Sequence, residues 1–309
     1  MVNELNPAEA PQKQFSLVQV WWMAIRPRTL PAAISGVIAG LAVAIDEGQV
    51  RIPQTLAALA IALLLQIGSN LANDVFDHER GADAGRLHGP TRVTESGLLS
   101  PQQVKLGMIV VFALAGVLGL YLAATVNWIL IPIGALAILA AVAYTGGPFP
   151  LGYHGLGDVF VFLFFGLTSV AGTVYLNLSR ISAAGWGMSV PLGLLIVGIL
   201  VVNNLRDIEA DRLANKRTLA VRFGERFSKS EYVACVVVSY LAMLLFCLFG
   251  ILPWWSMLTW LSLPLAVRNI RIVLSQKGKP LNAALGGTGQ LALVFSLLFL
   301  AGILIEGFL

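Results

Sequence analysis

The chain has 309 residues, 57% of them hydrophobic and only 12% charged, with a mean hydropathy of +0.82, whereas soluble domains are roughly 25% charged. That composition excludes an ordinary soluble enzyme and predicts an all-α, polytopic membrane bundle. The net charge of +4 comes with no basic, aromatic-interleaved soluble segment, which argues against nucleic acid as a partner.

The first 28 residues are mostly polar and lack a short apolar run followed by a small-residue cleavage site, so no signal peptide is expected. Residues 1–20 read as a polar tail on a single transmembrane domain. Apolar stretches of about 17 to 25 residues predict nine spans, near 29–45, 54–74, 104–124, 128–144, 156–176, 186–205, 232–252, 254–270 and 287–306. An odd count puts the termini on opposite sides. With the N-terminus inside, every Lys and Arg except Arg51 and Arg180 falls on the inner side. The positive-inside rule then predicts a multi-pass protein of the plasma (inner) membrane with a cytoplasmic N-terminus and an outer C-terminus. Cys235 and Cys247 share one predicted span, about 18 Å apart at 1.5 Å per residue, too far for a disulfide.

Two connections, roughly 75–103 and 206–231, are long and polar, and both are predicted to be cytoplasmic. Each follows an inward-running span, the second and the sixth, a placement that hints at a tandem repeat of four-helix units. At the end of the second span, "NLANDVFDHERGAD" sets Asn70, Asn73, Asp74 and Asp77 at i, i+3, i+4 and i+7, one face of a helix. At the end of the sixth, "NNLRDIEAD" spaces Asn203, Asp207 and Asp211 by four, with Arg206 among them.

Both motifs sit at helix C-termini, where the macrodipole already leaves negative charge. Clustered carboxylates there repel one another unless a cation intervenes. Carboxylate and amide oxygens are hard ligands suited to Mg²⁺, which typically shares its coordination with water and substrate phosphates. Two such clusters on one side point to metal ions flanking a diphosphate, with Arg80, Arg86, Arg92, Lys216 and Arg217 supplying positive charge to its oxygens. The alternative is that these polar residues only terminate spans and signal topology.

The paired motifs resemble those of the UbiA superfamily of intramembrane prenyltransferases. Within it, "RPRTLPA", "QIGSNLANDVFDHERGAD", "GPTRVTESGLLSP", "AYTGGPFPLGYHGLGD" and "NNLRDIEADRLANKRTLAVRFG" are similar to the 1,4-dihydroxy-2-naphthoate prenyltransferases, from about residue 21 to 227. Asn73, Asp74 and Asp77 match the superfamily's first motif, but Gly81 stands at its last position, with Asp83 two residues later as the ligand candidate. Asn203, Asp207 and Asp211 match the second motif. The resemblance implies Mg²⁺-dependent transfer of a polyprenyl or phytyl-type group from its diphosphate to 1,4-dihydroxy-2-naphthoate, with loss of carbon dioxide. Another aromatic acceptor such as 4-hydroxybenzoate is the alternative.

An allylic cation needs a dry site and benefits from aromatic faces. Tyr144 and Tyr153, which flank the turn "TGGPFPLGYHG", are candidates for that role or members of the interfacial aromatic belt. Asp158, four residues from His154 at the entrance of the fifth span, handles the aromatic substrate or a proton, or caps the helix. Arg26 and Arg28 anchor the first span at the headgroups, or, by the resemblance, Arg26 reaches the substrate carboxylate. His78, His88 and His154 are too scattered for a metal-ligand pattern and read as surface or loop residues. Gly36 with Gly40, and Gly116 with Gly119, predict close helix packing. Three rival classes remain. A cation-coupled transporter would place its acids near the bilayer midplane, an alcohol-phosphate transferase would gather them in one motif, and a scaffold would need neither.

Overall fold

The computed structural model describes residues 15–82 and 88–308. Asp83 and Arg86, named above, lie outside the described residues, as does the polar tail through residue 14. Helix α1 (Leu17–Ile25) opens on a capping box in which Ser16 Oγ accepts from the Gln19 amide and the Gln19 side chain accepts from the Ser16 amide. Arg26 ends it in the left-handed region, at φ 55°. One 3₁₀ turn, Pro27–Thr29, then redirects the chain into α2 (Leu30–Asp46).

The long spans follow in the expected order: α3 (Ile52–Glu79), α4 (Pro101–Thr125) and the shorter α5 (Leu130–Ala143). The fifth predicted span is composite, with α6 (Gly157–Val161), a π-helical stretch Phe162–Thr168 and α7 (Ser169–Leu178). Next come α8 (Ala183–Arg206), the short α9 (Ile208–Leu213), α10 (Leu219–Leu248), a 3₁₀ stretch Trp254–Ser262 leading into α11 (Leu263–Ser275), and α12 (Leu281–Glu306). Among the described residues, eight helical segments are long and apolar enough to cross a membrane. Helix α5 falls on the fourth predicted span, 128–144; at 14 residues it is about 21 Å long, short of a hydrocarbon core of about 30 Å.

The segment 206–231 differs from its sequence reading. It is mostly helical: α9 occupies its start, and α10 begins at Leu219, well before the predicted 232, on the cap in which Thr218 Oγ1 accepts from the Val221 amide. Gly224, at φ 84°, breaks α10 between a first turn and the span proper. The segment is a polar helical stretch rather than a loop.

Among the described residues two main packed bodies build the bundle, beside a minor cluster of Ala57, Leu122 and Leu176. The larger joins Val43, Val174, Leu192, Leu195, Met243, Phe295 and Phe299 from α2, α7, α8, α10 and α12. The smaller joins Val20, Leu71, Val75, Val93, Val104 and Met108 from α1, α3, α4 and the loop after α3. Gly36 and Gly40 permit the close approach of α2 and α7: a Cβ on Gly36 would lie 2.1 Å from Ser169 Oγ, and one on Gly40 would lie 2.6 Å from the Val170 carbonyl oxygen. Gly116 and Gly119 overturn the packing expectation, because nothing lies within 4 Å of a Cβ built at either. They border a cavity instead. Cys235 and Cys247 are both free and buried.

Candidate active site

Helix α3 has 28 residues and is about 42 Å long at 1.5 Å per residue. Its length exceeds the hydrocarbon thickness, so its acidic end can project toward the headgroups while its apolar part stays immersed. The second motif ends α8 in the same neighbourhood. Asp207 leaves the helical conformation (φ −99°, ψ 12°), serving both as the C-cap of α8 and the N-cap of α9. Asp211 is thereby carried on a separate helix that folds back toward the first motif.

The two motifs meet. Lys216 Nζ lies 3.0 Å from Asp77 Oδ1 and 4.0 Å from Asp211 Oδ1. Asp77 is buried, at 2% exposure, and both its oxygens are engaged. Oδ1 also accepts from the Tyr153 hydroxyl at 2.9 Å, and Oδ2 pairs with Arg92 Nη2 at 3.0 Å. Asp207 is gripped by both ends of its neighbour's guanidinium, Arg206 Nε to Oδ1 at 2.8 Å and Nη2 to Oδ2 at 2.6 Å. Arg206 also donates to Asn203 Oδ1 at 2.7 Å and to Asn282 Oδ1 at 2.8 Å. Asn282 in turn donates to the His88 carbonyl, tying α12 to the loop after α3.

Around this polar end lies a cavity of about 1360 Å³. Its lining includes three carboxylates, Asp77, Asp207 and Asp211, and six cationic side chains, Arg26, Arg28, Arg92, Arg206, Lys216 and Lys279. Asn73, Asn203, Tyr144 and Tyr153 also line it. The excess of cations makes this end an anion site. Beyond it the wall turns apolar, with Ile61, Leu65, Val117, Leu120, Ile138 and Phe164. Gly116, Gly119, Gly134 and Gly172 also line the cavity, and nothing lies within 4 Å of a Cβ at any of them. Lining residues Val117 and Leu120, on α4, are exposed.

Not every predicted residue faces the cavity. Asp74, at 1% exposure, turns to the loop after α3, where its oxygens accept from the Thr94 amide at 3.0 Å and the Val93 amide at 3.3 Å, and Arg26 Nη2 lies 3.5 Å away. Asn70 lines the cavity but spends its amide on the α1–α2 turn, donating to the Ile25 carbonyl and to Thr29 Oγ1. Arg80 stacks over the Tyr153 ring at 5.4 Å and donates to the Gly147 carbonyl. Arg217 is exposed, and its backbone amide donates to the Tyr153 carbonyl. Asp158 begins α6 outside the lining residues, close enough to Tyr144 to influence it. Tyr144 caps α5 at the cavity wall. His78 pairs with Glu95 and His154 stacks on Phe149, away from any ligand role.

Sequence reasoning passed over Thr145, which donates to Asn73 Oδ1 at 3.0 Å, and Asn282. An amide in the first turn of an otherwise apolar span, on the side of both motifs, was the available signal for Asn282. Among the described residues, no three His, Cys, Asp or Glu side chains form a self-contained metal site. The hard oxygens of Asn73, Asp77, Asn203, Asp207 and Asp211 around an anion site nonetheless fit Mg²⁺, an ion that ordinarily completes its shell with water and phosphate oxygens.

A multi-pass helical membrane protein that joins an oxygen-rich, cation-lined anion site to a long apolar chamber is built to hold an amphipathic phosphate ester. The chain belongs to the UbiA prenyltransferase family, whose model matches residues 33–300. It is 38% identical to the 1,4-dihydroxy-2-naphthoate octaprenyltransferase of Escherichia coli, over 96% of this chain and 98% of that protein. It is 40% identical to the protein of the same name from Mycobacterium tuberculosis, over 90% of this chain and 94% of that one. The fold is shared with a UbiA homologue from Archaeoglobus fulgidus solved bound to DMAPP and Mg²⁺, with a TM-score of 0.62 and 16% identity over 92% of this chain and 99% of that one.

Proposed function

We propose that this protein transfers a polyprenyl group from its diphosphate to 1,4-dihydroxy-2-naphthoate, releasing diphosphate and carbon dioxide, as a step in menaquinone or phylloquinone formation. The observation that carries the reading is the meeting of both acidic motifs on Lys216, at 3.0 and 4.0 Å, at the cationic end of an apolar chamber. The names of the relatives supply the acceptor. A transporter would need its acids at mid-membrane, whereas Asp77, Asp207 and Asp211 lie at or beyond helix ends.

Asn73, Asp77, Asn203, Asp207 and Asp211, with Asp83 as a further candidate, would hold the metal. Bound there, Mg²⁺ would neutralise charge on the departing diphosphate. Arg92, Arg206 and Lys216 donate to the diphosphate oxygens, while Arg26 is placed to meet the carboxylate of the aromatic acid. The bond between the prenyl carbon and the diphosphate oxygen breaks with its electron pair leaving on diphosphate, and the electron-rich ring forms the new carbon–carbon bond. Loss of the ring carboxyl as carbon dioxide supplies the electron pair that restores aromaticity, so no oxidant is required. Tyr144, Phe160, Phe164 and Phe165 on the wall exclude water from the allylic cation and face it with π electrons. Both motifs face the cytoplasm of the inner membrane, in keeping with the Lys and Arg distribution.

The test offers the purified protein in lipid a radiolabelled polyprenyl diphosphate with dihydroxynaphthoate and 4-hydroxybenzoate side by side. The expected result is Mg²⁺-dependent labelling of the naphthoate product. Labelling of the benzoate alone would contradict the acceptor, and no labelling of either would contradict the reaction.

A further inference from the structure

Two of the carboxylates that would hold a metal, Asp77 and Asp207, are already paired with cations of the chain. Asp77 meets Lys216 and Arg92, each at 3.0 Å, and Asp207 is doubly bonded by Arg206. These cations are held in place. The Lys216 ammonium sits 4.8 Å over the Tyr153 ring, whose hydroxyl donates to the same Asp77 oxygen. Arg206 is braced by Asn203 and Asn282, and it is itself buried at 4% exposure. A bare divalent ion approaching Asp77 would have to shed water, which Mg²⁺ does reluctantly, and lie next to two fixed positive charges in a site of reduced dielectric.

A diphosphate changes this balance, because its oxygens offer Lys216, Arg92 and Arg206 an anion of their own and free the carboxylates. Resting on the metal–diphosphate reading above, we infer that Lys216, Arg92 and Arg206 close the two motifs to free divalent metal and yield them only when a diphosphate takes over the cations. The protein therefore takes the metal with its diphosphate, and stays unloaded when only the ion is present.

The test measures Mn²⁺ binding to the full-length protein in nanodiscs by electron paramagnetic resonance, with Mn²⁺ alone and with inorganic diphosphate added, corrected for the Mn²⁺–diphosphate complex in solution. The wild type is expected to bind Mn²⁺ alone at least tenfold more weakly than with diphosphate. Lys216→Met should narrow that gap by strengthening binding of Mn²⁺ alone about tenfold, equivalent to about 1.4 kcal/mol, while Lys216→Arg should keep the wild-type gap. The wild-type comparison stands without any variant. Equal affinity for Mn²⁺ with and without diphosphate would overturn the order of loading but leave the metal–diphosphate site standing. Failure of the wild type to bind Mn²⁺ under either condition would overturn both.

Discussion

Replacing Asp77 by Asn removes one negative charge from between two cations and leaves the side-chain volume almost unchanged. At 3.0 Å from Lys216 Nζ and from Arg92 Nη2, each attraction has a gross size of about 5.5 kcal/mol at an effective dielectric near 20. Desolvation offsets most of that. Breaking one side of a buried pair typically costs about 3–5 kcal/mol, and because Lys216 borders the cavity and can regain water, the lower end, about 3 kcal/mol, is expected. Tyr153 keeps an oxygen acceptor in the Asn variant, so the turn that carries it should stay docked. Turnover should fall more steeply, by at least about 10²–10³-fold, the scale of losing a principal electrostatic group.

The assay pairs thermal unfolding of the nanodisc-embedded protein with product formation well below the melting transition. Asp74→Asn is the matched control, since Asp74 accepts from the Val93 and Thr94 amides, lies 3.5 Å from Arg26 Nη2 and does not itself line the cavity. It should cost about 1–3 kcal/mol of stability and retain far more activity than Asp77→Asn. Wild-type turnover in Asp77→Asn, or equal activity loss in the two variants while both are folded, would refute the reasoning.

Gly40→Ala forces a Cβ to within 2.6 Å of both Thr173 and the Val170 carbonyl oxygen; it should lower the unfolding transition by the equivalent of about 1–3 kcal/mol, and an unchanged melting curve would count against the α2–α7 contact. Gly134→Val adds bulk where nothing lies within 4 Å, so melting should be unaffected while the Michaelis constant for a long polyprenyl diphosphate rises more than that for a geranyl donor. Equal effects on both donors would remove Gly134 from the path of the tail.

The spans were legible because their apolar runs match bilayer thickness, and the second and sixth ended at the motifs as expected. Helix α9 and the early start of α10 were hidden because polar helices mix charge with apolar residues and lack the continuous run of a span. The i, i+3, i+4, i+7 pattern gathers Asn70, Asn73, Asp74 and Asp77 toward the C-terminal end of α3, but a shared helical sector is broad. Asn73 and Asp77 reach the cavity from one edge of it, Asp74 meets the Val93–Thr94 backbone from the other, and no local pattern announces where a distant loop will dock. Gly116 and Gly119 show the same limit: small residues spaced along a helix describe close packing and open space equally well. Lys216, the residue on which both motifs meet, stood out only as one positive charge near a second motif.

In the proposed reaction one diphosphate is shared by both acidic motifs. A structure of the protein with Mn²⁺ and a non-reactive geranyl thiodiphosphate, read through the anomalous signal of manganese, tests this directly. The predicted result is metal density between Asp77 and the Asp207–Asp211 segment with the isoprenoid running toward Gly134. Manganese and diphosphate bound at one motif alone, with Lys216 still joined to Asp77, would contradict it.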